Sequence, residues 1–226
     1  MLLNINMNKW LSRSMSIILI ATGLCINAAQ AETNGIWYSS GNSDYLMVME
    51  DATGTTIELE VAADLSSANI WVGSESSGNV SLNNFATNTD SLTENIAGDS
   101  LSGRMLRGGA SSSYFARLLY KHVGGAYDGV WQRENVSREY FAYLTVDVAG
   151  ISTTVVIDLV VNNDMTYTFD IFAGSMTSKT YKGGSLKHSG KTLTLVFNGS
   201  TANGTYTTGS NPPETFSAFR ILGIVD

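Results

Sequence analysis

The chain has 226 residues, a formal net charge of −7 and only 15% charged side chains. Its 13 Lys and Arg against 20 Asp and Glu exclude nucleic acid and anionic membrane surfaces as expected partners, because both require clustered basic residues. One cysteine and two histidines are too few ligands for a zinc site, and we predict no cofactor.

Residues 1–31 have the pattern of a bacterial Sec-type signal peptide. Lys9 and Arg13 form a basic region, Ser16 to Ile26 an apolar one, and Ala29-Gln30-Ala31 a cleavage site. The apolar run is shorter than the roughly 20 residues that span a bilayer, so we expect no stable membrane anchor. We therefore predict cleavage after Ala31 and a periplasmic or secreted protein.

Cleavage would remove Cys25, the only cysteine of the chain. Because Lys9 and Arg13 would leave with it, 11 basic and 20 acidic side chains would remain, a net charge of −9. Such a chain forms no internal disulfide and must be stabilised by its core or by a ligand.

From Glu32 onwards the sequence predicts an all-β fold. Its prolines are confined to Pro212-Pro213, and Gly, Ser, Thr and Asn separate short runs rich in β-branched and aromatic residues. No stretch of helical length has an apolar period of 3.6 residues.

The first predicted unit, residues 32–123, contains eight short strand-like runs. These are 35–39, 45–50, 55–62, 69–74, 80–82, 92–96, 101–106 and 114–120. Residues 84–100 are the least regular, with many Asn, Thr, Asp and Ser, and we expect the long loop of this unit there.

Alternation within the third run assigns its two faces. We expect Ile57, Leu59 and Val61 to be buried and Glu58 and Glu60 to face water.

The second unit, residues 129–226, follows a joint at 124–128 and also contains eight predicted strands. These are 129–132, 140–148, 152–161, 167–174, 178–181, 192–197, 204–207 and 215–224, separated by turns such as Ala149-Gly150 and Lys182-Gly183-Gly184. Thr154 to Val161 is apolar on both faces except at Asp158, which predicts a strand covered on both sides.

The two units share their first and last strands. Gly35-Ile36-Trp37-Tyr38 opens the first and Gly129-Val130-Trp131 the second, and each closes on a strand with aromatic residues and one arginine, Arg117 or Arg220. We therefore predict a duplication, with two tandem antiparallel meander units that each close into a small barrel.

The Gly-x-Trp opening and the arginine on the last strand resemble the lipocalins and the wider calycin group of ligand-binding barrels. The resemblance implies that first and last strands are neighbours, with Arg117 covering Trp37 and Arg220 covering Trp131 at the closed end. It covers one tripeptide and one arginine per unit. The units are shorter than usual lipocalins, so a filled core and a hollow one both remain open.

Catalytic chemistry has little support in the sequence, and we predict that the protein is not an enzyme. The mature chain has no cysteine and no Gly-x-Ser-x-Gly motif. His122 and His188 lie beside turn residues and are expected to be exposed.

Acidic residues recur on neighbouring strands of the second unit. If Asp147, Asp158 and Asp170 faced one interior, they could bind Ca²⁺ or form a carboxylate pair, although Lys179, Lys191 or the closing arginines could instead neutralise Asp158.

Dense aromatic residues in the second unit indicate either a core or a wall for an apolar or sugar ligand. The candidate ligand contacts are Tyr140, Tyr143, Asp158, Tyr167 and Phe169.

The prediction is thus an exported, non-catalytic β-barrel protein that binds a small apolar molecule or a protein partner. A structural or adhesive exoprotein is the first alternative. An outer-membrane barrel is the second, and the charged side chains of Glu58 and Glu60, expected on the outer face, count against it.

Overall fold

The computed structural model describes residues 33–87, 89–136 and 138–224. The predicted signal peptide, residues 1–31, lies outside the described residues. Among the residues that are described, there is no helix long and apolar enough to cross a membrane.

The first eight strands form a closed antiparallel barrel, called barrel 1, in chain order. They are β1 Gly35–Ser39, β2 Asp44–Glu50, β3 Thr55–Ala62, β4 Ala68–Ser76, β5 Asn79–Asn84, β6 Ser91–Ala97, β7 Ser100–Arg107 and β8 Ala110–Lys121. Pairing of β1 with β8 closes the ring. The long loop expected at 84–100 is wrong, because Leu92 and Ile96 turn into the core and form β6, which leaves only 85–90 as the connection.

The second eight strands form barrel 2, which β9 closes by pairing with both β10 and β16. They are β9 Gly129–Arg133, β10 Glu139–Val148, β11 Ile151–Val161, β12 Tyr167–Thr177, β13 Thr180–Ser185, β14 Lys191–Asn198, β15 Thr201–Thr208 and β16 Glu214–Gly223. The turn expected at Lys182-Gly183-Gly184 is wrong. These residues lie within β13, where a side chain on Gly183 would collide with the Tyr181 ring.

Strand register shows that the barrels are two copies of one unit. Trp37 pairs with Leu46 in barrel 1, and Trp131 pairs with Phe141 in barrel 2. Each indole N–H donates to the backbone carbonyl four residues earlier, at 3.3 Å for Trp37 and 3.0 Å for Trp131. The same register makes Glu60 the equivalent of Asp158.

Large side chains fill the centre of each barrel. Trp37, Trp71, Leu82, Leu92 and Leu101 do so in barrel 1, and Trp131, Phe141, Tyr143, Phe172, Tyr181 and Phe197 in barrel 2. The rings in barrel 2 interlock, for instance Tyr143 edge-on to Phe197 at 5.1 Å. Filled centres leave the barrel ends as the places where a ligand could enter.

A third apolar core lies between the barrels. Equivalent positions on the outer faces of both barrels supply it: Ile36, Met47, Met49, Leu59, Val61, Ala68 and Ile70 from barrel 1, and Val130, Ala142, Leu144, Ile157, Leu159, Phe169 and Ile171 from barrel 2. Val156 on one face of β11 and Ile157 on the other are both buried, as predicted for a strand covered on both sides.

This shared core explains an error in the sequence analysis. Glu58 and Glu60 are 1% and 3% exposed and face the interior of barrel 1, whereas Leu59 packs on the outside against barrel 2. The alternation was read correctly, but its polar face was assigned to water. Glu58 and Glu60 therefore do not count against an outer-membrane barrel.

The joint after β8 is anchored to barrel 2. His122, expected to be exposed, is 6% exposed, and its Nε2 lies 2.8 Å from Asp128 Oδ2. Asp128 also accepts hydrogen bonds from the backbone N–H of Thr145 at 3.0 Å and from its hydroxyl at 2.9 Å. These contacts fix the direction in which the chain enters β9.

The two closing arginines occupy different positions. Arg220 pairs with Trp131, and its guanidinium lies 5.6 Å from the indole. In barrel 1 the partner of Trp37 is Leu118, while Arg117 points outward over Phe115 at 5.5 Å. Arg117 therefore does not cover Trp37, because it lies one residue away from the equivalent of Arg220.

Candidate ligand site at the mouth of barrel 2

Barrel 2 has a cavity of about 450 Å³ at the end where β9, β11, β13 and β15 finish. This end is called the mouth of barrel 2. The lining is polar and charged: Arg133, Glu139, Asp158, Thr168, Asp170, His188, Lys191, Tyr206, Thr208, Asn211 and Glu214 contribute, with Val160, Phe169 and Pro212.

Asp158 is the buried carboxylate of this cavity, with 8% of its surface exposed. It faces inward from β11, and the Tyr206 hydroxyl donates to its Oδ2 at 2.7 Å. Its Oδ1 has no hydrogen-bond partner among the described residues. Burial raises the pKa of Asp158 to about 7, and the nearby Glu139 carboxylate acts in the same direction.

The cationic groups of the mouth are held by other carboxylates. Both oxygens of Glu139 accept hydrogen bonds from Arg133 Nη1, at 3.0 and 2.9 Å, and Glu214 Oε1 lies 2.6 Å from Nη2. Lys191 Nζ lies 2.9 Å from Asp170 Oδ2. Although sequence analysis named Lys191 as a possible partner of Asp158, the lysine is paired with the neighbouring aspartate.

Asp170 is the best-satisfied acid of the mouth. Oδ1 accepts hydrogen bonds from the Ser185 hydroxyl at 2.6 Å and the Ile171 N–H at 2.9 Å, and Oδ2 lies 3.1 Å from His188 Nδ1. Burial opposes ionisation here, but the hydrogen bonds from Ser185 and Lys191 hold the pKa of Asp170 below its usual range. Because the Ser185 hydroxyl donates to Asp170, these residues do not form a Ser–His nucleophile pair.

Three of the five predicted ligand contacts lie away from the cavity. Tyr143 is buried in the centre of barrel 2, where its hydroxyl donates to Met176 Sδ at 3.3 Å. Tyr140 and Tyr167 pack into the core between the barrels. Asp158 and Phe169 do line the cavity, although the Phe169 ring belongs mainly to the core between the barrels.

Sequence analysis missed Arg133, Glu139, Tyr206 and Glu214. The signal for Glu139 and Tyr206 was parity: Glu139 precedes the inward-facing Phe141 by two residues, and Tyr206 follows Gly204 by two. Arg133 and Glu214 carry no such local signal, because they meet only when β9 pairs with β16.

The three aspartates expected to share one interior separate into two groups. Asp158 and Asp170 are cross-strand neighbours, whereas Asp147 lies at the opposite end of β10 and accepts the Gly150 N–H at 2.6 Å. Within the described ranges, no group of three or more His, Cys, Asp or Glu side chains is placed to hold a metal ion.

The equivalent end of barrel 1 is closed by its own side chains. Glu60 Oε2 accepts hydrogen bonds from Arg107 at 2.6 Å, Asn69 at 3.0 Å and Trp71 at 3.2 Å. The Arg107 guanidinium also lies 5.5 Å from the Trp71 ring centre. In barrel 2 the residue equivalent to Arg107 is Thr208, which leaves Asp158 without this cation.

No protein family, curated protein or solved structure matches this chain. The two closed antiparallel meander barrels are compatible with a lipocalin-like architecture.

Proposed function

We propose that this protein is a non-catalytic binding protein that holds a small polar ligand in the mouth of barrel 2. One observation carries the proposal: Asp158 is buried in a cavity of about 450 Å³ with one carboxylate oxygen unpaired. A buried polar atom without a partner is costly, and a ligand that fills the cavity can remove that cost. The equivalent Glu60 of barrel 1 already has three donors.

The lining favours a polar ligand over the apolar one expected from the aromatic content. The aromatic rings of barrel 2 fill its centre, whereas the cavity is bordered mainly by carboxylates, amines and hydroxyls. An apolar ligand would desolvate these groups without satisfying them. A volume of this size lies in the usual range for small-molecule sites.

Binding without turnover is supported by the pairing of two charged groups of the mouth, Asp170 and Arg133. Asp170 is engaged by four donors and Arg133 by two carboxylates, so neither group is available as a base or an electrophile. The signal-peptide pattern of residues 1–31 supports action in the periplasm or outside the cell.

The alternative functions have weaker support. Closed barrels offer no free sheet edge for adhesive strand pairing. A membrane barrel needs an outward apolar band, whereas most outer positions of three consecutive strands of barrel 1 are polar: Asn79, Ser81 and Asn83 on β5, Thr93 and Asn95 on β6, and Ser102 and Arg104 on β7.

Native mass spectrometry of the protein purified from its own cells, followed by thermal shifts with a panel of small polar solutes, tests the proposal. Thr208→Arg introduces the cation that closes barrel 1 and should abolish binding. Thr201→Arg places the same charge at the far end of β15 and should leave binding unchanged. The proposal fails if no solute binds, or if the bound solutes ignore Thr208→Arg.

A further inference from the structure

The charge of the mouth is unbalanced. Four carboxyl groups line it, on Glu139, Asp158, Asp170 and Glu214, against two permanent cations, Arg133 and Lys191. His188 adds a third positive charge only when it is protonated. With all four carboxylates ionised, the site therefore keeps at least one negative charge that the protein does not neutralise.

Part of that excess charge belongs to Glu139 and Glu214, which share Arg133, and the rest belongs to Asp158, whose Oδ1 is buried. Arg133 is engaged by Glu139 and Glu214, and Lys191 by Asp170, so the unpaired oxygen is Oδ1 of Asp158. A buried carboxylate is stabilised most by an opposite charge placed against it. An anionic ligand would meet cations whose carboxylate partners it would first have to displace.

We propose that the ligand of this site is a small aliphatic amine whose ammonium group binds Oδ1 of Asp158. This inference rests on the proposed function of the mouth as a binding site. An ammonium group supplies both the hydrogen-bond donor and the positive charge that Asp158 lacks, as Arg107 does for Glu60 in barrel 1. A neutral hydroxyl ligand would supply the donor alone.

Three solutes with the same four-carbon length separate the possibilities: putrescine, butanediol and succinate. Calorimetric titration at pH 8 should detect binding of putrescine and no comparable binding of the diol or the diacid. Asp158→Asn should weaken putrescine binding roughly tenfold to a hundredfold, the range expected for loss of a hydrogen bond to a charged group. Asp164→Asn, which changes an exposed loop carboxylate, should have no effect.

The number of protons released on binding distinguishes direct contact with Asp158 from a purely structural role of this residue. Titrations at pH 7 in buffers of different ionisation enthalpy should show proton release when putrescine binds, because Asp158 must ionise. The groups that face Asp158 are Tyr206, Glu139, Lys191 and Asp170. Tyr206→Phe keeps the carboxylate and should retain binding of putrescine over butanediol, with circular dichroism checking the fold.

The outcomes distinguish this inference from the proposed function. Tighter binding of butanediol or succinate than of putrescine, or unchanged putrescine binding in Asp158→Asn, overturns the amine assignment. If other polar solutes bind and are lost in Thr208→Arg, the mouth is still a binding site and only the amine assignment fails. Absence of any solute sensitive to Thr208→Arg overturns both.

Discussion

The two barrels share one strand register but differ in how they treat buried charge. At the mouth, barrel 1 surrounds Glu60 with three donors, whereas barrel 2 leaves Asp158 partly unsatisfied beside a cavity. All three donors to Glu60 are replaced in barrel 2: Arg107 by Thr208, Asn69 by Asp170 and Trp71 by Phe172. The two copies therefore share a scaffold, and in the part of the chain that the structure describes only barrel 2 has the open polar end.

In the barrel centres it is barrel 1 that contains buried acids, whereas barrel 2 has apolar side chains there. Glu58 and Glu94 are buried inside barrel 1, where barrel 2 has Val156 and Leu195 at the equivalent positions. None of their four oxygens accepts a hydrogen bond from a described donor, and the neighbouring Glu94 disfavours ionisation of Glu58, so we infer that at least one of the two acids is protonated. Burial raises the pKa of Glu94 to about 8 and holds that of Glu58 well above its usual range.

Replacing this pair by its barrel 2 counterparts, Glu58→Val with Glu94→Leu, should have the largest effect on stability. The folded protein keeps protons on these acids that the unfolded chain releases above about pH 4.3. Between that pH and the raised pKa values, each retained proton lowers the free energy of unfolding by about 1.4 kcal/mol per pH unit. At pH 8 the free energy of unfolding of the double variant should exceed that of the parent by roughly 4 kcal/mol.

Urea unfolding at pH 5 and pH 8, followed by tryptophan fluorescence, measures this difference. The pKa of Asp44 and that of Asp158 are also raised by burial, to about 6 and about 7, but both acids are present in both proteins. Their contribution therefore cancels. If the difference in free energy of unfolding between the two proteins does not change with pH, Glu58 and Glu94 do not retain protons in barrel 1.

The core between the barrels should couple their unfolding. Leu59 and its equivalent Ile157 are each 4% exposed in this core, and either change to alanine should cost about 3 kcal/mol. Because each residue packs against the other barrel, Leu59→Ala should also destabilise barrel 2. Single-tryptophan variants that retain Trp71 or Trp131 report the barrels separately, and two separate transitions in the parent protein would show that the barrels are independent.

Removing Arg107 should create a weak binding site at the end of barrel 1. Arg107→Thr removes one donor from Glu60 and should cost about 1 kcal/mol, because the arginine is 46% exposed and its ion pair is partly screened. The same change leaves a buried carboxylate near the end of barrel 1, where weak putrescine binding should appear. Calorimetry in the Thr208→Arg background isolates this new site, and a silent titration would mean that a cavity as well as a carboxylate is required.

An effect on stability no larger than that of Arg107→Thr is expected at the barrel closure. Arg220→Leu installs the residue that barrel 1 has at Leu118 and removes the cation over Trp131, together with a hydrogen bond to the Ala126 carbonyl at 3.0 Å. We expect a loss of about 1 kcal/mol in the free energy of unfolding. Lys179→Leu, which removes an exposed lysine that contacts no aromatic ring or carboxylate among the described residues, is the control for a generic charge effect.

Local pattern was sufficient to predict most of the strands, with β13 as the main error. Alternation and turn residues located runs such as Thr55–Ala62 and Ile151–Val161 to within about one residue, because hairpins of a meander are built from neighbouring sequence. The polar face of β3 was assigned wrongly, since its apolar face is covered by barrel 2, more than sixty residues away, which leaves the polar face turned into barrel 1. The alternation along a strand shows which side chains share a face, but it does not show whether that face contacts water, the barrel interior or the other barrel.

The site was only partly predictable for the same reason. Asp158 was visible as a lone carboxylate within an apolar run, and the structure places it at the cavity. Tyr140 and Tyr143 were chosen with it for aromaticity, but one packs between the barrels and the other fills a barrel centre. Arg133 and Glu214 are 81 positions apart and become neighbours only through barrel closure.

Equivalent strands meet between the barrels, yet the association of the barrels does not depend on protein concentration. Each barrel presents the same face to the other, which is the arrangement of an isologous dimer. A single unit would expose that apolar face and would need a second copy to cover it. The short joint turns this association into an intramolecular one, so the pairing of the barrels keeps a fixed effective concentration however dilute the protein becomes.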